Sequence, residues 1–276
     1  MLGLPDRTRA CLFDLDGVLT RTAEVHLTAW RETFDEYLRD RHDAAAGAGR
    51  PFSDDDYRRY VDGRARLDGV RGFLASRGIE LPEGGDADGP DVRSVHGLGR
   101  RKQQRFLAAL ERDGVTVYEG SVRYVRAARD AGLRLAVVTA SANAGEVLRA
   151  AGLDELLPVR VDGVVAAEER LAGKPAPDTF LSAARLLDVA PADAAVFEDA
   201  RSGVRAARSG GFGWVVGVDR VGNPHADAPT DADAPADAPT DTDVPAELDA
   251  DGHAAELRRC GADVVVRDLA ELLGPA

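Results

Sequence analysis

The chain has 276 residues, of which 44% are hydrophobic and 30% charged, and its formal net charge is −13. This length suffices for one large domain or two modest ones with a sizeable core. No apolar run approaches the ~18 residues of a membrane-spanning helix, and no charged-then-apolar leader precedes the first strand-like segment. We therefore expect neither membrane association nor secretion, and the cytoplasm is the expected compartment.

Most of the net negative charge comes from one tract. Nine acidic residues and no Lys or Arg lie between Asn223 and Asp251, in a sequence dominated by Ala, Asp, Pro and Thr. The rest of the chain is only mildly acidic, which indicates no nucleic-acid surface and no basic membrane patch. The tract has little to bury, so residues 223–252 are expected to form a disordered insertion in a surface loop. A monomer is expected.

Short apolar segments alternate with amphipathic helical ones along most of the chain. The predicted strands lie at residues 10–15, 133–139, 194–198, 214–218 and 264–266. The predicted helices between them lie at residues 122–131, 145–151, 177–187 and 203–210. This alternation predicts an α/β fold with a parallel sheet covered by helices on both faces. Its ligands are expected at the carboxyl ends of the strands. The two cysteines, Cys11 and Cys260, lie beside strand-like runs and are expected to be buried and reduced.

Residues 22–117 have a different pattern, with helical periodicity and no convincing strand. The predicted helices of this part lie at residues 26–39, 54–61, 67–77 and 97–113. Breaks rich in Pro and Gly separate them. We therefore expect a helical domain at 22–117, inserted into a core made of residues 1–21 and 118–276.

The first motif with chemical content is Phe13-Asp14-Leu15-Asp16-Gly17-Val18. Asp14 and Asp16 follow an apolar strand and, two residues apart, project to the same side. Two carboxylates placed in this way repel each other unless a cation or a shared proton intervenes. An ordinary Asp/Gly turn would have the same local sequence. The functional interpretation is a site for a metal and a phosphate.

Two further motifs suit a phosphate. A predicted strand ends at Thr139, and the small polar residues Ser141 and Asn143 lead into a helix, where hydroxyl and N–H groups can bind phosphate oxygens. The same residue types also cap helices for structural reasons. In Gly173-Lys174-Pro175, a glycine and a proline restrict the backbone around Lys174. Lys174 is therefore either an ordinary surface lysine or a fixed ammonium that neutralises developing negative charge.

The fourth motif again has two acids at a strand end. Glu198 and Asp199 follow Val196-Phe197 and precede a turn of small residues. Carboxylate oxygens are the ligands that Mg2+ prefers, and Mg2+ keeps several waters, which leaves room for a phosphate. Two acidic pairs at the strand ends of one parallel sheet are hard to explain as turns alone.

In this order the four motifs resemble those of the haloacid dehalogenase superfamily of phosphotransferases. The resemblance covers the chain apart from the acidic tract. Within the superfamily the chain is similar to the β-phosphoglucomutase-like group, whose members carry a helical cap after the first strand. The resemblance implies a Rossmann-like core with a parallel sheet covered by helices, plus an inserted α-helical cap domain.

The resemblance also implies catalytic roles. Asp14 would be the nucleophile that forms an aspartyl-phosphate, and Asp16 the general acid and base. Thr139 and Lys174 would hold the transferring phosphoryl group.

A Mg2+ ion is the implied cofactor. Its ligands would be Asp14, the main-chain carbonyl of Asp16 and Asp199, with Glu198 in support. The chemistry requires such an ion, because a carboxylate cannot approach an anionic phosphoryl group until positive charge cancels the repulsion.

Residues of the helical insert match the subgroup as well. His26 and Trp30 match the segment that leads into the cap, where the histidine positions the acid/base aspartate. Gly63 and Arg66 match the cap loop whose arginine binds the distal phosphate, and Lys102 matches a cap lysine that approaches the acid/base aspartate. Each pattern has a simpler interpretation: residues 26 and 30 are spaced as a core-facing helical pair, and the basic side chains are equally typical of a solvated surface.

The implied substrate contacts on the core side are Ala140, Ser141 and Asn143. Three positions depart from the subgroup pattern. Arg21 stands where an acidic residue is usual. Ala142 stands where a lysine is usual, which removes a cation near the phosphate site. Asp62, before the cap-loop glycine, is acidic where a lysine is expected.

The sequence therefore predicts an enzyme that acts on a small sugar phosphate. The first hypothesis is β-phosphoglucomutase activity, which moves phosphate between C1 and C6 of glucose through a bisphosphate. The alternative is a phosphatase with the same core, in which water accepts the phosphoryl group. A non-catalytic binding protein is disfavoured because Asp14, Asp16, Lys174 and Asp199 are all intact. The core motifs alone do not separate mutase from phosphatase.

Overall fold

The computed structural model describes residues 1–40, 50–220 and 250–274. Its strands are β1 (Ala10–Phe13), β2 (Arg134–Val138), β3 (Val159–Val161), β4 (Ala194–Glu198), β5 (Trp214–Val218) and β6 (Val264–Val266). They form one sheet in the order β3-β2-β1-β4-β5-β6, and every adjacent pair is parallel. The carboxyl ends of all six strands therefore lie at the same edge.

Strand β1 lies inside the sheet and is buried on both faces. Cys11 and Phe13 belong to one hydrophobic cluster, whereas Ala10 and Leu12 belong to another. Successive side chains of a strand point to opposite faces, so the two clusters cover the two faces of the sheet. The predicted class, a parallel sheet covered by helices, is confirmed.

Between β1 and residue 118 the described chain contains helices and no strand. These elements are α1 (Thr22–Arg39), α2 (Asp54–Asp56), a π-helical turn (Tyr57–Val61), α3 (Arg66–Ser76) and α4 (Val95–Asp113). They share a third hydrophobic cluster. Within it the rings of Phe34, Phe52 and Phe73 have centroids 4.2–5.1 Å apart.

The other helices cover the sheet. They are α5 (Glu119–Asp130), α6 (Ala144–Ala150), α7 (Gly163–Glu168), α8 (Asp178–Leu186), α9 (Arg201–Ser209) and α10 (Ala250–Cys260). Two short 3-10 turns lie at Pro191–Asp193 and Leu269–Leu272.

Two predictions about these elements need correction. The sequence predicted no strand at β3, which has only three residues, an exposed Arg160 at its middle and a place at the sheet edge. The expected disordered insertion at 223–252 ends too late, because residues 250–252 belong to helix α10. Good helix formers follow at residues 254–259, and Leu257 is fully buried against the sheet, so packing favours a helix that also includes the first residues of this segment. The rest of the predicted insertion, up to residue 249, lies outside the described residues.

Two neighbouring segments join the helical part to the sheet. The Arg21 N–H donates to the Thr116 carbonyl at 2.9 Å, and the Tyr118 N–H donates to the Leu19 carbonyl at 3.0 Å. The chain therefore leaves the core after β1 and returns to it at almost the same place.

Arg220, after β5, ties the loop of the first motif to the rest of the core. Its guanidinium donates to the carbonyls of Gly17 and Val18, both at 3.2 Å. It also donates to Ser121 Oγ at 2.9 Å and to Asp268 Oδ2 at 2.8 Å. A donor-rich planar group in this position fixes the path of the backbone directly after Asp16.

Both cysteines are free, with Cys11 buried and Cys260 half-buried. Burial raises the pKa of the Cys11 thiol. None of the helices in the described part of the chain is long and apolar enough to cross a membrane. The cytoplasmic location and the monomeric state stay predictions.

Candidate active site

Side chains from three strands meet in a cavity at the carboxyl edge of the sheet. Asp14 follows β1, Thr139 follows β2 and Asp199 follows β4, and all three line the same cavity of about 430 Å3. Residues of the helical segment line it as well, so the cavity lies between the sheet and these helices. The motifs that the sequence singled out are therefore brought together.

Lys174 forms the positive centre of this cavity. It donates to Asp14 Oδ1 at 2.5 Å, to the Val138 carbonyl at 3.1 Å and to Glu198 Oε1. Burial alone would lower the pKa of Lys174, but the two carboxylates raise it, so its side chain stays a cation. The chain has only two lysines, Lys102 and Lys174, and both are buried in this cavity.

Asp14 and Asp199 are the best placed metal ligands. Burial raises the pKa of Asp14 well above its ordinary value, and the attraction of Lys174 offsets this only in part. Burial also raises the pKa of Asp199, and the charges of Asp62, Glu198 and Asp14 add to the effect. A divalent cation would relieve this repulsion, and carboxylate oxygens suit Mg2+.

The acidic residues at the strand ends that the structure describes do not form a preassembled metal cluster. Within residues 1–40, 50–220 and 250–274, no three His, Cys, Asp or Glu side chains form a ready-made metal cluster. The predicted Mg2+ site does not need one, since it uses two carboxylates, a main-chain carbonyl and waters. The donor chemistry of Asp14 and Asp199 therefore fits Mg2+, and its binding stays a proposal.

Gly17 and Glu198 shape the surroundings of that site. Gly17 has a φ of +86°, and a Cβ at this position would overlap the Asp199 carboxylate, so only glycine fits without strain. Both Glu198 oxygens are engaged by protein donors: one accepts from Lys174 and the other from the Ala200 N–H at 2.9 Å. This arrangement favours the predicted supporting role for Glu198 over direct metal ligation.

Asp16 lies in a polar corner formed with the first helix. It accepts hydrogen bonds from Thr22 Oγ1 and from Thr139 Oγ1, the latter at 3.3 Å. His26 Nε2 lies 3.5 Å from Asp16 Oδ1, and the Lys102 ammonium contacts the other ring nitrogen of His26.

These contacts decide the charge of Asp16. Burial alone would raise its pKa, but the proximity of His26, the hydrogen bond from Thr22 and the charge of Lys102 lower the pKa of Asp16 to about 2. Burial lowers the pKa of His26, and it lowers the pKa of Lys102 to about 7. Asp16 is nevertheless ionised, because its own pKa lies far below neutral pH.

The loop after β2 carries the predicted phosphate contacts. The Ser141 N–H donates to Thr139 Oγ1 at 3.1 Å, and the Asn143 N–H donates to Ser141 Oγ at 3.2 Å. Ala140 and Ala142 line the cavity beside them. Ala142 brings no charge to this loop, so the cations of the cavity come from other elements.

The helical side of the cavity contains the remaining predicted residues. Trp30 is buried, and its ring centroid lies 5.3 Å from the Lys102 ammonium. Gly63 has a φ of +67°, and a Cβ there would lie 2.9 Å from Ala200 Cβ and overlap Ser202 Oγ. The loop of the helical segment is therefore packed closely against the turn that follows Asp199.

Arg66 points into the same cavity. Its Nη1 donates to Gln103 Oε1 at 2.6 Å, and its Nε is buried with no partner in the described part of the chain. Gln103 Nε2 in turn donates to Asn143 Oδ1 at 2.7 Å. This chain of bonds joins α3, α4 and the loop before α6.

Three cavity residues were missed as functional candidates. Asp62 was noted only as a departure from the subgroup, yet it lines the cavity, and burial together with the charge of Glu198 raises its pKa to about 7. Burial and the charge of Asp62 raise the pKa of Tyr57, which also lines the cavity. Tyr57 and Gln103 belong to no motif, so the sequence offered no signal for them.

Comparison with known proteins agrees with this geometry. Residues 8–211 match the family described as haloacid dehalogenase-like hydrolase. The chain belongs to this family. A β-phosphoglucomutase from Mycobacterium bovis is 49% identical over 274 residues, which are 99% of this chain and 94% of that protein. The resemblance inferred from the four motifs is confirmed.

Two further relatives show the range of this group of haloacid dehalogenase-like proteins. A phosphorylated carbohydrates phosphatase from Thermotoga maritima is 29% identical over 209 residues, 76% of this chain and 84% of that protein. CbbY from Rhodobacter sphaeroides, whose crystal structure is in complex with phosphate, is 25% identical in sequence to this chain. The two structures match with a TM-score of 0.62 over 96% of each chain. The chain is therefore an enzyme of a group that includes phosphatases and phosphotransferases.

Proposed function

We propose that this enzyme is a Mg2+-dependent β-phosphoglucomutase, which converts β-glucose 1-phosphate into glucose 6-phosphate through glucose 1,6-bisphosphate. The observation that carries the proposal is the place of Arg66, on the helical side of the cavity that holds Asp14 and Lys174. A bisphosphate needs a second cationic contact away from the reacting phosphate, and the guanidinium of Arg66 is such a group. The identity of 49% to a β-phosphoglucomutase supports the same activity.

Asp14 is the proposed nucleophile, which accepts a phosphoryl group from the sugar bisphosphate and returns it to a sugar monophosphate. Lys174 orients its carboxylate and cancels part of the repulsion between carboxylate and phosphate. Mg2+ held by Asp14, Asp199 and the main-chain carbonyl of Asp16 would supply the rest of the positive charge. Thr139 completes the wall around the transferring group.

Asp16 is the proposed proton carrier. It is ionised at rest, so it can accept the proton of the sugar hydroxyl that attacks the aspartyl-phosphate. Once protonated, the same carboxyl can return that proton to the oxygen that leaves in the next transfer. Thr22 and His26 hold Asp16 at this position through both steps.

Residues 22–117 are proposed to act as a cap over a core made of residues 1–21 and 118–276. The contact between the two parts is close, since Ser202 Oγ donates to the Asp62 carbonyl at 3.0 Å beside Gly63. A closed cap excludes water, which protects the aspartyl-phosphate from hydrolysis. The cap must also open, because the bisphosphate has to be turned over between the two transfers.

A phosphatase that acts on a small phosphorylated carbohydrate is the second candidate. Two observations favour it: the relative from Thermotoga maritima, which is a phosphatase, and the absence of a cation at Ala142. The core residues would have the same roles, and water would take the place of the sugar hydroxyl.

One assay separates the two activities. The enzyme is incubated with Mg2+, β-glucose 1-phosphate and a trace of glucose 1,6-bisphosphate, and glucose 6-phosphate is measured against inorganic phosphate. The proposal expects glucose 6-phosphate as the main product, and its loss in Arg66→Ala. Arg59→Ala, at an exposed cap arginine paired with Asp55, is the matched control and should retain activity. Inorganic phosphate as the main product would replace the mutase with the phosphatase.

A further inference from the structure

The side chain of Gln103 connects the helical segment to the core inside the cavity. Its Oε1 accepts from Arg66 Nη1 at 2.6 Å, and its Nε2 donates to Asn143 Oδ1 at 2.7 Å. The first partner comes from helix α3 and the second from the loop after β2. Gln103 itself lies on α4, so one amide joins three separate elements.

The direction of these bonds is set by chemistry. A guanidinium has five N–H donors and no acceptor, so the group that faces Arg66 must be the carbonyl oxygen of Gln103. The amide nitrogen of Gln103 then faces Asn143 and needs an acceptor, which is Asn143 Oδ1. Neither Nδ2 hydrogen of Asn143 takes part in these hydrogen bonds.

The consequence is a cluster whose unused groups are mainly hydrogen-bond donors. Arg66 contributes the N–H groups that Gln103 does not engage, and Asn143 contributes its amide hydrogens. A phosphate dianion has oxygens that accept and no proton to donate, whereas a sugar hydroxyl both donates and accepts. The arrangement therefore suits a phosphate, which can accept several of these hydrogen bonds and pair with the guanidinium charge.

We propose that Gln103 is a positioning residue that presents Arg66 and Asn143 together to the distal phosphate of the substrate. This inference rests on the proposed function, since it assumes a substrate with a second phosphate. Gln103 holds Arg66 toward the core and orients the amide of Asn143, so one phosphate can contact both. A phosphate held by Arg66 and Asn143 contacts the helical segment and the core at the same time.

The inference is tested with two phosphate donors that differ in the second phosphate. Acetyl phosphate has none, and glucose 1,6-bisphosphate has one. Phosphorylation of the resting enzyme by acetyl phosphate is followed by intact mass. For each variant, the change in kcat/KM with acetyl phosphate is set beside the change in KM for the bisphosphate. Gln103→Ala should raise the bisphosphate KM by about tenfold or more. Its kcat/KM for acetyl phosphate should change by less than about threefold, because that donor does not reach Arg66.

Two more variants make the test specific. Gln103→Glu keeps an acceptor for Arg66 but cannot donate to Asn143 and adds a negative charge, so its bisphosphate KM should rise more than that of Gln103→Ala. Gln104→Ala is the matched control, since Gln104 is the next residue of the same helix and is exposed. It should leave both measurements unchanged.

Each result supports or overturns the inference. Equal losses with both donors would show a purely structural role for Gln103 and overturn it, as would an unchanged bisphosphate KM in Gln103→Ala. If wild type accepts phosphate from the bisphosphate but releases only inorganic phosphate, the mutase proposal fails while the comparison of variants still tests Gln103. If wild type does not react with the bisphosphate at all, both fail.

Discussion

Replacing Lys174 by Met tests the electrostatic core of the site. The substitution leaves Asp14 and Glu198 buried without their shared cation, while the neighbouring volume stays filled. Breaking a buried ion pair by removal of one partner costs about 3–5 kcal/mol. For a chain of this size that corresponds to a loss of roughly 10 °C in melting temperature, measured by calorimetry in EDTA at neutral pH.

The pH dependence of this loss has a definite sign. Burial and Glu198 raise the pKa of Asp14 in the folded state, and Lys174 is the group that opposes them. Without Lys174 the folded protein binds a proton at Asp14 over a range, above the ordinary pKa of 3.8, in which the unfolded chain does not. The stability deficit of Lys174→Met should therefore shrink as the pH falls from about 8 to about 5.

A second variant serves as the control for this prediction. Adding Glu198→Gln to Lys174→Met removes one of the two stranded charges, so the double variant should recover part of the lost melting temperature. All phosphoryl transfer should be lost in both variants. An unchanged melting temperature in Lys174→Met, or a deficit that does not shrink in acid, would refute the reasoning.

Three further predictions follow from single side chains. Asp14→Asn should gain no phosphoryl group from acetyl phosphate by intact mass, whereas wild type should; a phosphorylated variant would exclude this residue as nucleophile. Gly17 and Gly78 both have a positive φ, but only Gly78, at φ +62°, has open space around it. In urea unfolding, Gly78→Ala should therefore cost only the about 1–3 kcal/mol of backbone strain, and Gly17→Ala should cost more. Equal costs would mean that no close approach constrains the loop. Arg220→Ala should lower the unfolding free energy by about 3 kcal/mol, and Arg7→Ala, an exposed arginine with one carbonyl contact, by much less.

The sheet could be predicted from the sequence where strands are continuous apolar runs between turn residues. Strands β4, β5 and β6 begin and end at the predicted residues, because each is an almost unbroken apolar run, largely buried in β4 and β5 and half-buried in β6. Strand β3 could not be predicted, because an exposed arginine separates its two valines, whereas the equally short β6 consists of three valines.

The same contrast holds for the site. Asp14, Thr139 and Asp199 each follow an inner strand of one parallel sheet, so their meeting at one edge could be inferred from position alone. The contacts of Asp62 and Gln103 depend on how the helices lie over that edge. No local pattern describes this placement, which follows from the packing of the whole helical segment.

The two lysines have a practical consequence for chemical probes. Apart from the N-terminus, the protein's amines are Lys102 and Lys174, and both face the cavity. An amine-directed reagent therefore has no side-chain target on the outer surface, and any side-chain adduct reports on access to the interior of the site. The degree of labelling can serve as a direct readout of whether a bound sugar phosphate shields that interior.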